Sequence, residues 1–216
     1  MPLSTPPWRD LKGLYAISSE TIVRDPAHLL PAVTAAIRGG VTLVQYRDKW
    51  NPADVRHQLA AALAQRCHDL GARLIINDDP ALAAAVGADG VHVGVSDTAV
   101  ASARQQLGAN AIIGATCGNS LDRAQRAVTE GADYVAFGRL FASRTKPDAP
   151  PAQLQTLSAA RRLGVAVCAI GGIGPEHVPQ VADAGADLIA AVDGIFGSAD
   201  VEARCRRYLA ALRDLR

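Results

Sequence analysis

Short apolar runs alternate along this chain with longer stretches of helical period. Runs at residues 13–17, 41–46, 73–76, 90–93, 111–115, 134–137, 165–170 and 188–192 read as strands. The Ala-rich stretches between them, such as residues 52–70, 120–130 and 152–163, read as helices. None of these runs meets the next through a tight hairpin turn, so the pattern predicts eight parallel strands with helical crossovers.

The punctuation supports that reading. Glycines at Gly39-Gly40, Gly71, Gly87, Gly131, Gly164 and Gly185 stand where helices should stop and strands begin. Three of them open a weak repeat, Gly87-Ala88-Asp89, Gly131-Ala132-Asp133 and Gly185-Ala186-Asp187, each ahead of a strand. Helix starts carry Pro after a capping residue at Asn51-Pro52, Asp79-Pro80 and Gly174-Pro175. Eight such units fit one closed (β/α)8 TIM barrel, expected over residues 11–216 behind a flexible tail at 1–10. An open doubly wound sheet would fit the same alternation. Its usual nucleotide signatures, GxGxxG after the first strand or a Walker A loop, do not occur.

Composition narrows the function classes. Aromatics make up only 4% of the chain against 49% apolar residues, so Ala, Val, Leu and Ile must fill the core. A net charge of +1 argues against a nucleic-acid or membrane-surface binder. Residues 1–7 lack the charged and apolar regions of a signal peptide, and a cytoplasmic location is expected. Cys67, Cys117, Cys168 and Cys205 show no metal-ligand spacing and read as inert thiols.

In such barrels chemistry sits at the C-terminal strand ends. On the second run, strand alternation puts Val41, Leu43, Gln45, Arg47 and Lys49 on one face, with Val44 and Tyr46 on the other. An amide, a guanidinium and an ammonium then converge at the barrel mouth, where an anion would relieve the repulsion between the cations. After the third run Asp79 is explained as an N-cap, whereas Asn77 and Asp78 are not needed for capping. Asp97 follows the fourth run, and two carboxylates on adjacent rim loops suit Mg²⁺ completed by water and substrate phosphates. His92 reads as a hydrogen-bonded core histidine. Ser143, Thr145 and Lys146 suit an oxygen-rich ligand. Gly171-Gly172 after the seventh run and Val192-Asp193 after the eighth occupy the place where barrel enzymes often bind phosphate.

Together these segments resemble the thiamine-phosphate synthase (thiamine monophosphate pyrophosphorylase) family over nearly the whole chain. The motifs are Gln45-x-Arg47-x-Lys49, Ile76-Asn77-Asp78, Gly87-Ala88-Asp89-Gly90-Val91-His92-x-Gly94 with Asp97, Ile113-Gly114-x-Thr116, Ser143-x-Thr145-Lys146 and Ile170-Gly171-Gly172-Ile173. The resemblance implies condensation of a hydroxymethylpyrimidine diphosphate with a thiazole phosphate, or its carboxylated precursor, releasing pyrophosphate. It implies that Gln45, Arg47, Lys49, Asn77, Thr116 and Lys146 hold the pyrimidine diphosphate, with Arg47, Lys49 and Lys146 catalytic. Asp78 and Asp97 would bind Mg²⁺, and Ser143, Thr145, Gly172, Val192 and Asp193 would hold the thiazole phosphate. The partners implied are small molecules, with no nucleic acid and no membrane; a homo-oligomer is compatible with it.

The chain departs from the family pattern at four places. Val95-Ser96 replaces Gln-Glu, Thr116-Cys117-Gly118 replaces a Ser-Thr-His-like stretch, Ala142 replaces proline and Asp193 replaces serine. A carboxylate beside a phosphate would repel it, so Asp193 is expected to turn its side chain away and offer its backbone amide. Two other readings share the barrel. A thiazole tautomerase would need a proton-transfer base near the fifth strand's end, where Gly118 stands, and a sensor would bind phosphorylated ligands without turnover.

Overall fold

Side-chain alternation on the strands decides the architecture. In the computed structural model, which describes residues 10–94, 100–142 and 150–213, eight parallel strands close a barrel in sequence order. They are β1 (Gly13–Ile17), β2 (Leu43–Tyr46), β3 (Arg73–Asn77), β4 (Gly90–Val93), β5 (Ile112–Gly118), β6 (Tyr134–Phe137), β7 (Ala166–Ile170) and β8 (Leu188–Ala191). The helices are α1 (Glu20–Val23), α2 (Pro26–Arg38), α3 (Ala53–Asp69), α4 (Pro80–Val86), α5 (Val100–Leu107), α6 (Leu121–Thr129), α7 (Leu154–Ala160), α8 (Val178–Asp183), α9 (Asp193–Phe196) and α10 (Val201–Arg213). The closing pair, β1 with β8, runs in register from Gly13 opposite Leu188 to Ala16 opposite Ala191.

One parity faces inward. Tyr15, Ile17, Leu43, Ile75, Ile112, Tyr134, Ala136, Cys168 and Ala190 fill the barrel. The other parity, including Leu14, Ala16, Val44, Tyr46, Leu74, Ile76, Val91 and Val135, meets the helices. Val41 corrects the sequence reading. It packs with the helix-facing set because β2 begins only at Leu43, so the alternation does not extend back to it.

The inner layer is tight where large rings enter. Gly114 on β5 lies opposite Tyr134 on β6, and a Cβ at Gly114 would stand 1.9 Å from the Tyr134 ring. Glycine is therefore the residue that lets a tyrosine fill this part of the barrel.

The Gly-Ala-Asp repeat has a structural meaning. Asp89, Asp133 and Asp187 accept the N–H of Leu74, Ile113 and Val167 at 2.7, 2.8 and 2.8 Å. Each aspartate thereby ties the start of its own strand to that of the preceding one, at the rim away from the chemistry. Asp79 caps α4 through Leu82 N–H at 2.8 Å, as its position before Pro80 suggests. Asn51 does not cap: α3 starts at Ala53, and the Asn51 amide donates to Val23 O and Asp48 Oδ2, both at 2.8 Å.

Candidate active site

A cavity of about 820 Å³ opens at the C-terminal ends of the strands. Gln45 reaches it from β2, Arg47 from just beyond that strand, Asn77 from β3, His92 from β4 and Thr116 from β5. Gly171, Gly172, Val192, Asp193 and Gly194 line the opposite side. Most of the described residues expected at the site therefore share one hollow.

The β2 arm is held from below. Asp48 is buried and accepts from the Tyr46 hydroxyl at 2.7 Å, from the N–H groups of Trp50 and Asn51 at 3.0 Å each, and from the Asn51 amide. Burial pushes its carboxyl upward, but these donors outweigh that and hold it below the ordinary carboxylate range. Ser18 clamps the neighbouring residue, accepting from Arg47 N–H at 2.8 Å and donating to Arg47 O at 3.1 Å. The Arg47 guanidinium lies 5.4 Å from the Trp50 ring centre, a cation–π placement that leaves its N–H fork available. Lys49 and Asp78 are not among the residues that line the cavity; Lys49 is half exposed, with Nζ 3.0 Å from Asp78 Oδ2.

Asp78 adopts a left-handed backbone, φ 61°, which aspartate tolerates better than most side chains. Its Oδ2 also accepts from Asn77 Nδ2 at 2.6 Å, and its Oδ1 accepts from Gly94 N–H at 3.1 Å. Both oxygens are thus fixed in direction. Among the described residues no group of three or more His, Cys, Asp or Glu converges as a metal cage. Asp97, Ser143, Thr145 and Lys146 lie outside the described residues.

On the far side, Gly172 has φ +65°, and a Cβ there would meet Ala142 O at 2.1 Å. The chain after β6 packs on this turn, with Phe141 N–H on Gly171 O at 2.9 Å. Asp193 opens α9 and lines the cavity. At the end of β5, Gly118 has φ +61°, and Arg123 Nη1 lies 3.3 Å from where its Cβ would be. That guanidinium donates to Cys117 O at 3.1 Å.

The cavity floor is built from residues that read as core in the sequence. His92, only 8% exposed, does have the hydrogen bonds expected of a core histidine, yet it also lines the cavity. Tyr15 lines it too, and Tyr134 lies beneath, its hydroxyl joining Tyr15 to His92. The signal available was parity: Tyr15, His92 and Tyr134 each fall on the inward phase of their strands. Cys168 also faces the cavity, but burial pushes its thiol far up and keeps it protonated. The four cysteines are all buried, and burial pushes Cys67, Cys117 and Cys205 up to about 12.

Fold and site together define a TIM-barrel protein with a cavity of small-molecule size at its strand ends, bordered by Arg47, Arg123, Arg139 and Arg204. Residues 14–195 match a family model described as thiamine monophosphate synthase, and the chain belongs to that family. It is 50% identical over 198 residues to a thiamine-phosphate synthase of Alcanivorax borkumensis, covering 91% of each chain. A thiamine-phosphate synthase of Methylococcus capsulatus is 52% identical over 202 residues, 93% of this chain and 89% of the other. Thiamine phosphate pyrophosphorylase from Pyrococcus furiosus superposes with a TM-score of 0.84 at 30% identity, covering 95% of this chain and 96% of that one. Among the described residues no helix is long and apolar enough to cross a membrane.

Proposed function

We propose that this protein joins 4-amino-2-methyl-5-hydroxymethylpyrimidine diphosphate to 4-methyl-5-(2-phosphoethyl)thiazole, or its carboxylated precursor, by a dissociative route dependent on Mg²⁺. The observation that carries the reading is the cavity itself. At about 820 Å³ it is in the size range of ligand sites. Arg47, Asn77 and Thr116 border one side, and the Gly171-Gly172 turn with the 192–194 segment borders the other.

The C–O bond to the diphosphate breaks with its electron pair leaving on oxygen. The 4-amino group of the pyrimidine supplies electron density to the methylene carbon left behind. The thiazole nitrogen then forms the new C–N bond, giving thiamine phosphate and pyrophosphate, and the carboxylated precursor also loses its carboxylate as CO2. No enzyme nucleophile enters this sequence, and the one cavity-lining thiol that could serve is held protonated by burial.

The protein's part is electrostatic and geometric. Arg47, Lys49 and Lys146 hold the diphosphate and offset its growing charge. Asn77 and Thr116 bind the same substrate. Gln45 lies deep, 2% exposed with its amide nitrogen on Tyr15, and would meet the ring end of the pyrimidine substrate. Gly172, Val192 and Asp193 hold the thiazole phosphate with Ser143 and Thr145, the Asp193 backbone rather than its carboxylate making the contact. Keeping the two rings adjacent supplies much of the remaining acceleration.

The donor set fits Mg²⁺. Asp78 offers a hard oxygen ligand whose direction three hydrogen-bond donors fix, Asp97 would supply the second, and this ion takes few protein oxygens. When bound it adds charge neutralisation at the diphosphate oxygens. A cytoplasmic enzyme of small-molecule substrates is the setting this reading implies.

The test is pyrophosphate release with both substrates and Mg²⁺. Release matched one to one by thiamine phosphate supports the proposal. Isomerisation of a thiazole precursor without pyrophosphate would favour the tautomerase reading, and binding without turnover would favour a sensor.

A further inference from the structure

Five polar side chains from five strands are linked end to end across the cavity floor. Gln45 Nε2 lies 2.5 Å from the Tyr15 hydroxyl, which lies 2.9 Å from that of Tyr134. The Tyr134 oxygen is 2.9 Å from His92 Nδ1, and His92 Nε2 is 2.8 Å from Thr116 Oγ1. The His92 and Tyr134 rings also stack, 5.5 Å between centres and 27° apart in plane, which fixes the imidazole orientation.

Donor and acceptor capacity gives this chain a direction. An amide nitrogen only donates, so the Tyr15 oxygen accepts from Gln45 and passes its own hydrogen to Tyr134. Burial holds both phenols protonated, Tyr134 especially far above its ordinary value. Tyr134, having accepted, donates to His92 Nδ1, which is then bare. The imidazole hydrogen therefore sits on Nε2 and is given to Thr116 Oγ1. Among the described residues no second acceptor takes the Thr116 hydroxyl hydrogen, and Thr116 lines the cavity. Reversing the chain would require the Gln45 amide to present its oxygen to Tyr15 instead.

We infer that His92 is a positioning residue: fixed by Tyr134 as the Nε2–H tautomer, it obliges Thr116 to act as a hydrogen-bond donor into the cavity, toward an acceptor nitrogen of the substrate ring. This rests on the reading that the pyrimidine diphosphate binds here. It adds an orientation filter. A ring offering an acceptor at that point is held, whereas one presenting N–H meets a donor facing a donor. An unmatched donor in a buried site costs more than a missing contact, which is how a fixed hydrogen discriminates.

The first test needs no variant. Nitrogen-15 spectra of the full chain, with labelled histidine and the His92 signals assigned by their loss in His92→Gln, report the tautomer directly. The expected result is a bare Nδ1 and a protonated Nε2, lost to tautomer averaging in Tyr134→Phe. An Nδ1–H form in the wild type overturns the inference. The second test is a double-mutant cycle on KM. Tyr134→Phe and Thr116→Val should each raise KM for the pyrimidine diphosphate about tenfold, as expected for one hydrogen bond. The double variant should be no worse than Thr116→Val, and KM for the thiazole phosphate should not move. Additive effects, or equal rises in both KM values, would mean that the tyrosine only supports the fold. A wild-type chain without turnover would count against the proposed function, leaving the nitrogen spectra to decide the tautomer.

Discussion

Lys49 Nζ lies 3.0 Å from Asp78 Oδ2, so the ammonium expected to hold a departing diphosphate already touches the carboxylate expected to hold its counter-ion. The pair spans two βα loops, and with both side chains partly exposed its own contribution to stability is small. Its importance is placement: positive and negative groups are set side by side where metal and phosphate would meet.

Asp78→Asn separates charge from backbone shape, because asparagine also accepts the left-handed conformation that φ 61° imposes. The variant should fold, with a small fall in melting temperature because the Asn77 amide and the Lys49 ammonium lose their shared acceptor. Its Mg²⁺ requirement, read as the concentration for half-maximal pyrophosphate release, should rise by about tenfold or more. An unchanged requirement would remove Asp78 from the metal site.

Asp48 should set an acid limit on the β2 arm. Its folded-state affinity for protons is depressed, so its stabilising contribution is complete above the ordinary carboxylate range and is lost as pH falls through the lowered value. Asp48→Asn should cost about 1–3 kcal/mol near neutral pH, since the Tyr46 hydroxyl and the Asn51 amide lose a charged acceptor. The gap between variant and wild type should narrow in acid. Denaturant midpoints measured across that range check both statements.

Gly114→Ala tests the inner layer. A methyl group 1.9 Å from the Tyr134 ring forces the ring or the strand to move. The expected loss is about 1–3 kcal/mol by thermal unfolding, with weaker binding of the pyrimidine diphosphate as Tyr134 leaves His92.

Asp193→Ser removes the carboxylate from the cavity lining. If the backbone at this position makes the phosphate contact, KM for the thiazole phosphate stays within about twofold, the scatter of surface substitutions. A severalfold fall would show that the carboxylate repels the substrate.

The strands are legible because their helix-facing positions are apolar throughout and most of their barrel-facing ones are too, as in residues 134–137 and 188–191. Boundaries are less so. β5 runs on to Gly118 because Thr116 and Gly118 pair across a register shift with β6, which no local pattern announces. Asn51 looked like a cap because asparagine before proline usually is one, whereas its amide is drawn to Val23 and Asp48 by the fold. The rim residues Arg47, Lys49 and Asp78 could be found as charges without a structural reason to be there. Tyr15, His92 and Tyr134 could not be found that way, since a buried tyrosine or histidine reads as core until its partners on other strands are known.

Turnover by the proposed route depends on positive charge placed to meet a leaving diphosphate, and Lys49→Ala removes one such charge. With both substrates saturating and Mg²⁺ in excess, kcat for pyrophosphate release should fall by about two to four orders of magnitude, the range for loss of one transition-state charge donor. A folded variant that turns over at the wild-type rate would contradict it.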